Sequence, residues 1–577
     1  MTTASQVKAR SWLPLLSALG FLLFWAAVTY HLCLRRTGGS YVYPLDDAYI
    51  HMSIAKNLVR HGLWGVTAYH FSSASSSILW PLLVAVIFKV VGVQVLVPLF
   101  LSLSCGLLLL VVADRCIRAQ SSAPPWLRTL ALFALIFFTP LVSNCFTGME
   151  HLAHACAAVL YCATVVDLAA GRRDRRSAIA FVLLSALLVA VRYEAVAMIG
   201  MGCLILVLSR RWLLAVASAV AAALPIVAFG EYATAHGAYF LPNSVLLKSG
   251  GGLVNRLMGN ATSAHILILL LSLALLLYLA SILAGSTTQT GSQTGSQTGT
   301  QTSPQTTLGA LATGSAARPR LWLLLFIGSS ILHLAGGRVN WYFRYEAYLN
   351  AVGVVALTIA SAWLLRSELW ARSAAQWTPR RLVLALPAVP LIFILAMPAL
   401  KMVARGFTSV PRVSSERYLE HVQPAMFLAT YYPRSTVALN DIGAACFFTD
   451  ANVLDVFGLA SIEPIQFRKR DGYKADDLRD WAAREGAKVA ILQIDWLDVG
   501  DRVPKEWVQV ADWKFPSNLV FDDLRVAVFA INPSDAPVLR QQLSEFQKRA
   551  PAALELSLLN EGTRENPKPV RSTDDPR

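Results

Sequence analysis

Charged side chains are scarce in this 577-residue chain. Asp, Glu, Lys and Arg make up 15% of it, against about 25% in an ordinary soluble domain. The deficit excludes a simple soluble globule and a charge-rich disordered chain. Paired cysteines are lacking too. The eight cysteines are Cys33, Cys105, Cys116, Cys145, Cys156, Cys162, Cys203 and Cys446; none forms a CxxC pair, and seven lie in or beside apolar runs. That pattern argues against cysteine-based metal or redox chemistry and for small apolar fillers. A basic, aromatic-interleaved patch in a polar segment is also missing. The net charge of +15 therefore does not point to nucleic acid as a partner.

Long hydrophobic runs are what the chain has instead. Hydrophobic residues make up 55% of it and mean hydropathy is +0.51. Runs near 20 residues are membrane-spanning in length. The first, Trp12 to Leu34, is too long for a signal-peptide core and reads as a retained helix. Lys8 and Arg10 precede it, which sets the N-terminus in the cytoplasm. Further spans are expected at 93–113, 129–145, 151–170, 177–191, 195–209, 212–230, 264–284, 321–336, 346–365 and 382–402. Ser77 to Val91 is short and broken by Pro81 and Gly92, so it reads as re-entrant or interfacial. With that parity the basic clusters fall on the inner side: Asp114 to Arg128, Arg172 to Arg176, Arg210-Arg211, Arg318-Pro319-Arg320 and Arg366 to Arg381.

The expected fold class is a polytopic α-helical membrane protein of about eleven spans with a C-terminal soluble α/β domain. The expected organisation is a transmembrane domain over 1–404, an α/β domain over 405–560 and a disordered tail over 561–577. Within the first part, 285–318 is a low-complexity cytoplasmic loop; its Gly-Ser-Gln-Thr repeat near 291–300 suits a flexible linker. Strands are expected at Thr436 to Asn440, Lys488 to Ile494, Trp507 to Asp512 and Arg525 to Ile531. The α/β domain falls on the outer side by parity, in a cell (inner) membrane protein whose first partner is the lipid bilayer.

Five polar clusters interrupt the apolar background, all at expected outer boundaries. The first is Asp46-Asp47, followed by His51 one turn beyond Asp47 on the same helix face. One aspartate suffices to cap the helix that runs to about Val59. Two adjacent carboxylates need a cation, a positive partner or a shared proton, and with His51 they make the site capable of acid–base chemistry. The others are Glu150 with His151, Arg192-Tyr193-Glu194, Pro242-Asn243 with Lys248, and Arg344-Tyr345-Glu346. Each alone also reads as an ordinary boundary residue: an interfacial carboxylate, a neutralised turn, a snorkelling lysine, an aromatic belt. Together they bring acids and three cations, Arg192, Lys248 and Arg344, to one face. Cations there run against the positive-inside bias and suit a phosphate.

These stretches resemble the GT-C superfamily of membrane glycosyltransferases, nearest the bacterial branch of terminal arabinofuranosyltransferases and mannosyltransferase-like proteins. The resemblance rests on Asp46-Asp47-Ala48-Tyr49-Ile50, Ala55-Lys56-Asn57-Leu58, Ser75-Ser76-Ser77-Ile78-Leu79-Trp80, Thr147-Gly148-Met149-Glu150, Arg192-Tyr193-Glu194, Pro242-Asn243 with Lys248, Arg344-Tyr345, Asp441-Ile442-Gly443-Ala444 and Asp455-Val456-Phe457-Gly458-Leu459. Many relatives carry Arg-Pro-Glu where this chain has Arg192-Tyr193-Glu194, and Tyr69-His70-Phe71 stands where several have Gly-Glu. The resemblance implies transfer of a hexosyl or pentosyl group from a polyprenyl-phosphate sugar to a glycan or glycolipid acceptor of the cell envelope, with inversion. It implies Asp46 as base and Asp47 as second acid, with His51, Glu150, Arg192, Glu194, Lys248 and Arg344 binding substrate. It leaves a divalent cation open. The rival readings are a transporter or flippase of lipid-linked saccharides, and a non-catalytic envelope-assembly scaffold.

Overall fold

The computed structural model describes residues 4–247, 253–290, 316–339, 341–367, 388–470, 472–494, 500–514 and 526–559. Lys248, the repeat near 291–300 and the tail beyond 560 lie outside the described residues. The chain is a polytopic α-helical membrane protein with a mixed-sheet region at its C-terminal end. Seven described helices are long and apolar enough to cross a membrane: Trp12–Arg36, Val97–Gln120, His151–Ala169, Trp212–Ala235, His265–Ile282, Ala317–Gly336 and Ala347–Leu364. Side chains such as Leu13, Phe24, Val90, Phe100 and Leu224 stand exposed on helices of the bundle. Water would not tolerate so many; a lipid surface does.

Of the other expected spans, 129–145, 177–191 and 195–209 are helical but short, and 382–402 overlaps helix Ala388–Thr408. Segment 129–145 is two helices, Pro125–Phe138 and Leu141–Phe146. Pro140 lacks the N–H that a continuous helix would need there. Arg175–Val191 and Val196–Leu208 meet at a turn carrying Arg192 and Glu194. Leu79–Val91 has 13 residues, about 20 Å at 1.5 Å per residue and short of the roughly 30 Å hydrocarbon core. Helix His265–Thr290 runs into the stretch expected as loop from 285.

The basic clusters gather at one end of the bundle. Arg211 Nη1 donates to the carbonyl of Arg172 at 2.7 Å, Arg318 lies 3.4 Å from Asp167, and Arg366 donates to the Ser122 carbonyl at 2.9 Å. The opposite end carries helix Asp47–His61 and, packed upon it, the C-terminal region.

That region is a six-stranded sheet ordered β2-β1-β3-β5-β4-β6. The strands are β1 Thr436–Leu439, β2 Asn452–Asp455, β3 Val489–Gln493, β4 Val508–Lys514, β5 Val526–Ala530 and β6 Glu555–Leu558. β1 pairs in parallel with β2 and β3; the β3–β5, β5–β4 and β4–β6 pairs are antiparallel. Every residue of β3 and β5 is buried, as a sheet covered on both faces requires. The carboxyl ends of the parallel strands β1 and β3 deliver Asn440, Asp441 and Gln493 to the crevice facing the bundle.

Candidate functional site

The loop after the first helix enters through Val42, Tyr43 and Leu45, all buried. The Tyr43 hydroxyl donates to the Val95 carbonyl at 2.7 Å and accepts from the Leu99 amide at 3.0 Å. Gly148 sits against its ring with φ +65, and a Cβ there would meet Tyr43 at 2.3 Å. Trp80 Nε1 donates to the Gly148 carbonyl at 3.0 Å. Three distant segments are thereby locked behind the start of helix Asp47–His61.

A continuous ionic network lies at this end. Arg344 Nη1 pairs with Asp47 at 2.6 Å. The Arg344 guanidinium also lies over the Tyr345 ring at 5.0 Å, and that of Arg192 lies 5.4 Å from the same ring. Arg192 forks onto Glu194 through Nε at 3.1 Å and Nη2 at 2.7 Å, and pairs with Glu150 through Nη1. His51 Nδ1 stands 3.6 Å from the second Glu150 oxygen, and its Nε2 is 3.4 Å from the Ser75 hydroxyl. Burial pushes the His51 imidazole below its ordinary value, against the pull of Glu150. Arg192, Arg344, Glu150 and His51 are buried, whereas the Asp47 side chain keeps 36% exposure. The structure therefore brings together Asp47, His51, Glu150, Arg192, Glu194 and Arg344, from four separate stretches of the chain.

Asp46 serves a different neighbour. Its Oδ1 accepts from the Ala444 amide at 2.8 Å and its Oδ2 from the Gly443 amide. These are the first amides of helix Gly443–Phe448, whose positive end favours a carboxylate. A Cβ on Gly443 would fall 2.4 Å from the Asp46 carbonyl oxygen, so only glycine admits this approach. At the other end of that helix, Lys56 Nζ donates to the carbonyls of Cys446, Phe447 and Thr449 at 2.8, 3.0 and 2.9 Å. Helix Gly443–Phe448 is held at both poles by residues ten apart on the membrane side, Asp46 and Lys56.

Around Asp46 stand Asp441, which the sequence offered only within the family likeness, and His421 and Glu420, which nothing in the sequence singled out. His421 Nδ1 is 3.3 Å from Asp46 Oδ1; its Nε2 is 3.1 Å from Asp441 and 3.5 Å from Glu420. A π-turn, Tyr418–Val422, projects Glu420 and His421 into the crevice, a distortion that concentrates at functional sites. Arg417 pairs with Glu420, and Gln493 Nε2 donates to Glu420 at 2.8 Å. Burial alone would raise the Asp46 carboxyl, but hydrogen bonds to His421 and Asp441 and from the Ala444 amide hold it well below the usual range. Burial, with Asp46 beside it, pushes Asp441 up. Burial would lower His421, yet Asp441 and Glu420 raise it to about 10.

A family model described as a domain of unknown function, DUF8728, matches residues 412–531. A search of curated proteins finds no match to the chain. Among solved structures, the chain is similar to ArnT from Cupriavidus metallidurans bound to undecaprenyl phosphate, at 13% identity and a TM-score of 0.48, over 89% of this chain and 98% of that one. It is similar to the oligosaccharyltransferase of Archaeoglobus fulgidus at 11% identity and a TM-score of 0.40, over 90% and 75%. It is similar to the arabinofuranosyltransferase AftD from Mycobacteria at 15% identity and a TM-score of 0.38, over 89% of this chain and 41% of that one.

Proposed function

We propose that this chain is a GT-C-type membrane glycosyltransferase. It moves a glycosyl group from a polyprenyl-phosphate-linked donor to a cell-envelope glycan or glycolipid on the outer face of the membrane. The observation that carries the reading is the partly exposed Asp47 carboxylate 2.6 Å from Arg344, in one network with Arg192, Glu150 and Glu194. A base and two guanidiniums at the mouth of a helical bundle match the needs of displacement at an anomeric carbon carrying phosphate. The motif resemblance supplies the donor class.

We assign the base to Asp47 rather than to Asp46, which the sequence alone favoured. Both Asp46 oxygens are committed to backbone amides, and an anion stabilised in that way is a poor proton acceptor. In the reaction, the acceptor hydroxyl oxygen bonds to the anomeric carbon and passes its proton to Asp47. The bond from that carbon to the phosphate oxygen breaks, and polyprenyl phosphate leaves with the electron pair. Arg344 and Arg192 take up the charge growing on the phosphate, and configuration inverts. Glu150 and Glu194 hold Arg192 in place. Lys248 joins this reading as a further phosphate contact on its sequence position alone.

The test is a panel of polyprenyl-phosphate sugars given to purified protein, reading released polyprenyl phosphate. Asp47→Asn should lower turnover by about 10²- to 10⁴-fold while the protein stays folded. Wild-type turnover by that variant sinks the base assignment. A panel from which no donor loses its sugar, while lipid-linked sugar crosses vesicles bearing the protein, turns the reading to a transporter.

A further inference from the structure

We propose that Arg468, Arg502 and Tyr473 of the C-terminal region form an oxyanion site, which takes the carboxylate or phosphate groups of an anionic acceptor glycan. That the anion belongs to an acceptor rests on the glycosyltransferase reading; that an anion binds rests on the geometry alone. Helix Glu463–Arg470 ends in three successive cations, and each goes a different way. Arg470 pairs with Asp477 at 2.7 Å, and the Lys469 ammonium lies 3.7 Å over the Tyr239 ring. Arg468 lies against the rings of Phe457, at 5.5 Å, and Tyr473, at 5.7 Å. Its Nη1 donates to the Phe457 carbonyl at 2.8 Å, and no carboxylate pairs with it among the described residues. Arg502 brings a second guanidinium to the Tyr473 ring, at 5.2 Å. The Tyr473 hydroxyl is buried and has no hydrogen-bond partner among the described residues.

Charge and position agree. Two half-buried guanidiniums on one ring repel each other unless an anion joins them. Burial, and after it the charge of Arg502, holds Arg468 below its ordinary value. Asp455 lends charge from nearby, but its oxygens accept from the amides of Phe457, Gly458 and Ala460. The planar fork of a guanidinium matches a carboxylate or a phosphate, and a phenol hydroxyl can donate one bond more. Asp455 ends β2, beside β1, and the segment after β1 carries Gly443 to Asp46. Ligands of parallel strands gather at such carboxyl ends. The site also stands at the sheet-bearing end of the bundle: Asn243 Nδ2 reaches the Ser461 carbonyl at 3.5 Å and Lys469 covers Tyr239, both beyond the end of helix Trp212–Ala235. An acid group held there keeps its glycan along the sheet edge that meets the loop of Asp47.

The experiment uses the full chain in phosphatidylcholine nanodiscs, without a sugar donor, and reads binding by calorimetry. The probes are an oligogalacturonate, an oligo(glycerol phosphate) and a neutral oligogalactoside of equal length. At least one charged oligomer should bind, more tightly than the neutral one, and its binding should weaken as salt rises. Arg468→Gln and Arg502→Gln should each weaken it by about 10- to 100-fold. Tyr473→Phe keeps the ring and removes a hydroxyl that lacks a partner. It should therefore leave the melting temperature unchanged or higher while weakening binding about 3- to 10-fold. Equal binding of charged and neutral oligomers overturns the site, and so do Arg468→Gln and Arg502→Gln chains that bind as tightly as wild type. A wild-type chain that takes neither charged oligomer overturns the acceptor assignment. If that chain retains phosphatidylglycerol which the Arg468→Gln chain loses, the anion is a lipid headgroup instead. Binding is read without transfer, so this site and the transferase reading can fail separately.

Discussion

Successive side chains at the start of a helix point about 100° apart, and Asp46 and Asp47 show the consequence. One meets Arg344 in the bundle; the other meets the amides of Gly443 and Ala444. The remaining ionic residues stood out in the sequence because charge is costly against an apolar background. Glu150, Arg192, Glu194 and Arg344 were legible for that reason. His421 and Glu420 were not, because they lie in a polar stretch where charged residues are ordinary. Nor could adjacent positions reveal which aspartate faces a segment 397 residues downstream. The residue that this network leans on most is Arg192, buried between Glu150 and Glu194. Lysine keeps the charge but not the fork. Arg192→Lys should therefore leave a buried carboxylate short of a partner and cost about 3–5 kcal/mol. Thermal unfolding in detergent checks it; a melting temperature within 1–2 °C of wild type, about the noise on such a shift, would show that the fork is not needed.

At the scale of elements, the most consequential piece is the six-residue helix Gly443–Phe448. A helix so short has little stability of its own. Its order comes from outside, through a carboxylate at its positive pole and an ammonium at its negative one. The motif containing Gly443 was visible in the sequence, but its partner was not, since nothing local encodes a contact across domains. Strands β2 and β6 were overlooked because each offers only two apolar residues, Val453-Leu454 and Leu556 with Leu558, too few to read as a run. The clasp makes two variants informative. Gly443→Ala drives a methyl group into the Asp46 backbone and should cost about 1–3 kcal/mol. Lys56→Met keeps the stem and leaves three buried carbonyls without their donor, costing about 1–3 kcal/mol. Both should speed hydrogen exchange in Ala444 to Phe448 and leave exchange in helix Ala347–Leu364 unchanged. Equal acceleration in both places would mean general unfolding rather than a loosened clasp.

For the whole molecule, the two ends of the bundle differ in kind. One end gathers the arginines of the connecting loops. The other carries the acid–arginine network and the sheet region. Polarity of that sort was readable from composition, because the positive-inside bias acts on loop charge and not on fold. Span lengths were less readable: a run broken by Pro140 and the short helices flanking Arg192 have the composition of spans without their length. We propose from loop charge that the arginine end lies in the cytoplasm and the sheet region outside, and this sidedness can be measured. The native cysteines are buried or partly so, which keeps the labelling background low. Val538 and Arg173 are exposed at opposite ends. In intact cells, Val538→Cys should react with a membrane-impermeant maleimide, and Arg173→Cys should react only after lysis. The reverse pattern would place the Asp47–Arg344 network on the cytoplasmic side. Glycan assembly on the outer face would then be excluded for this chain, whatever its chemistry.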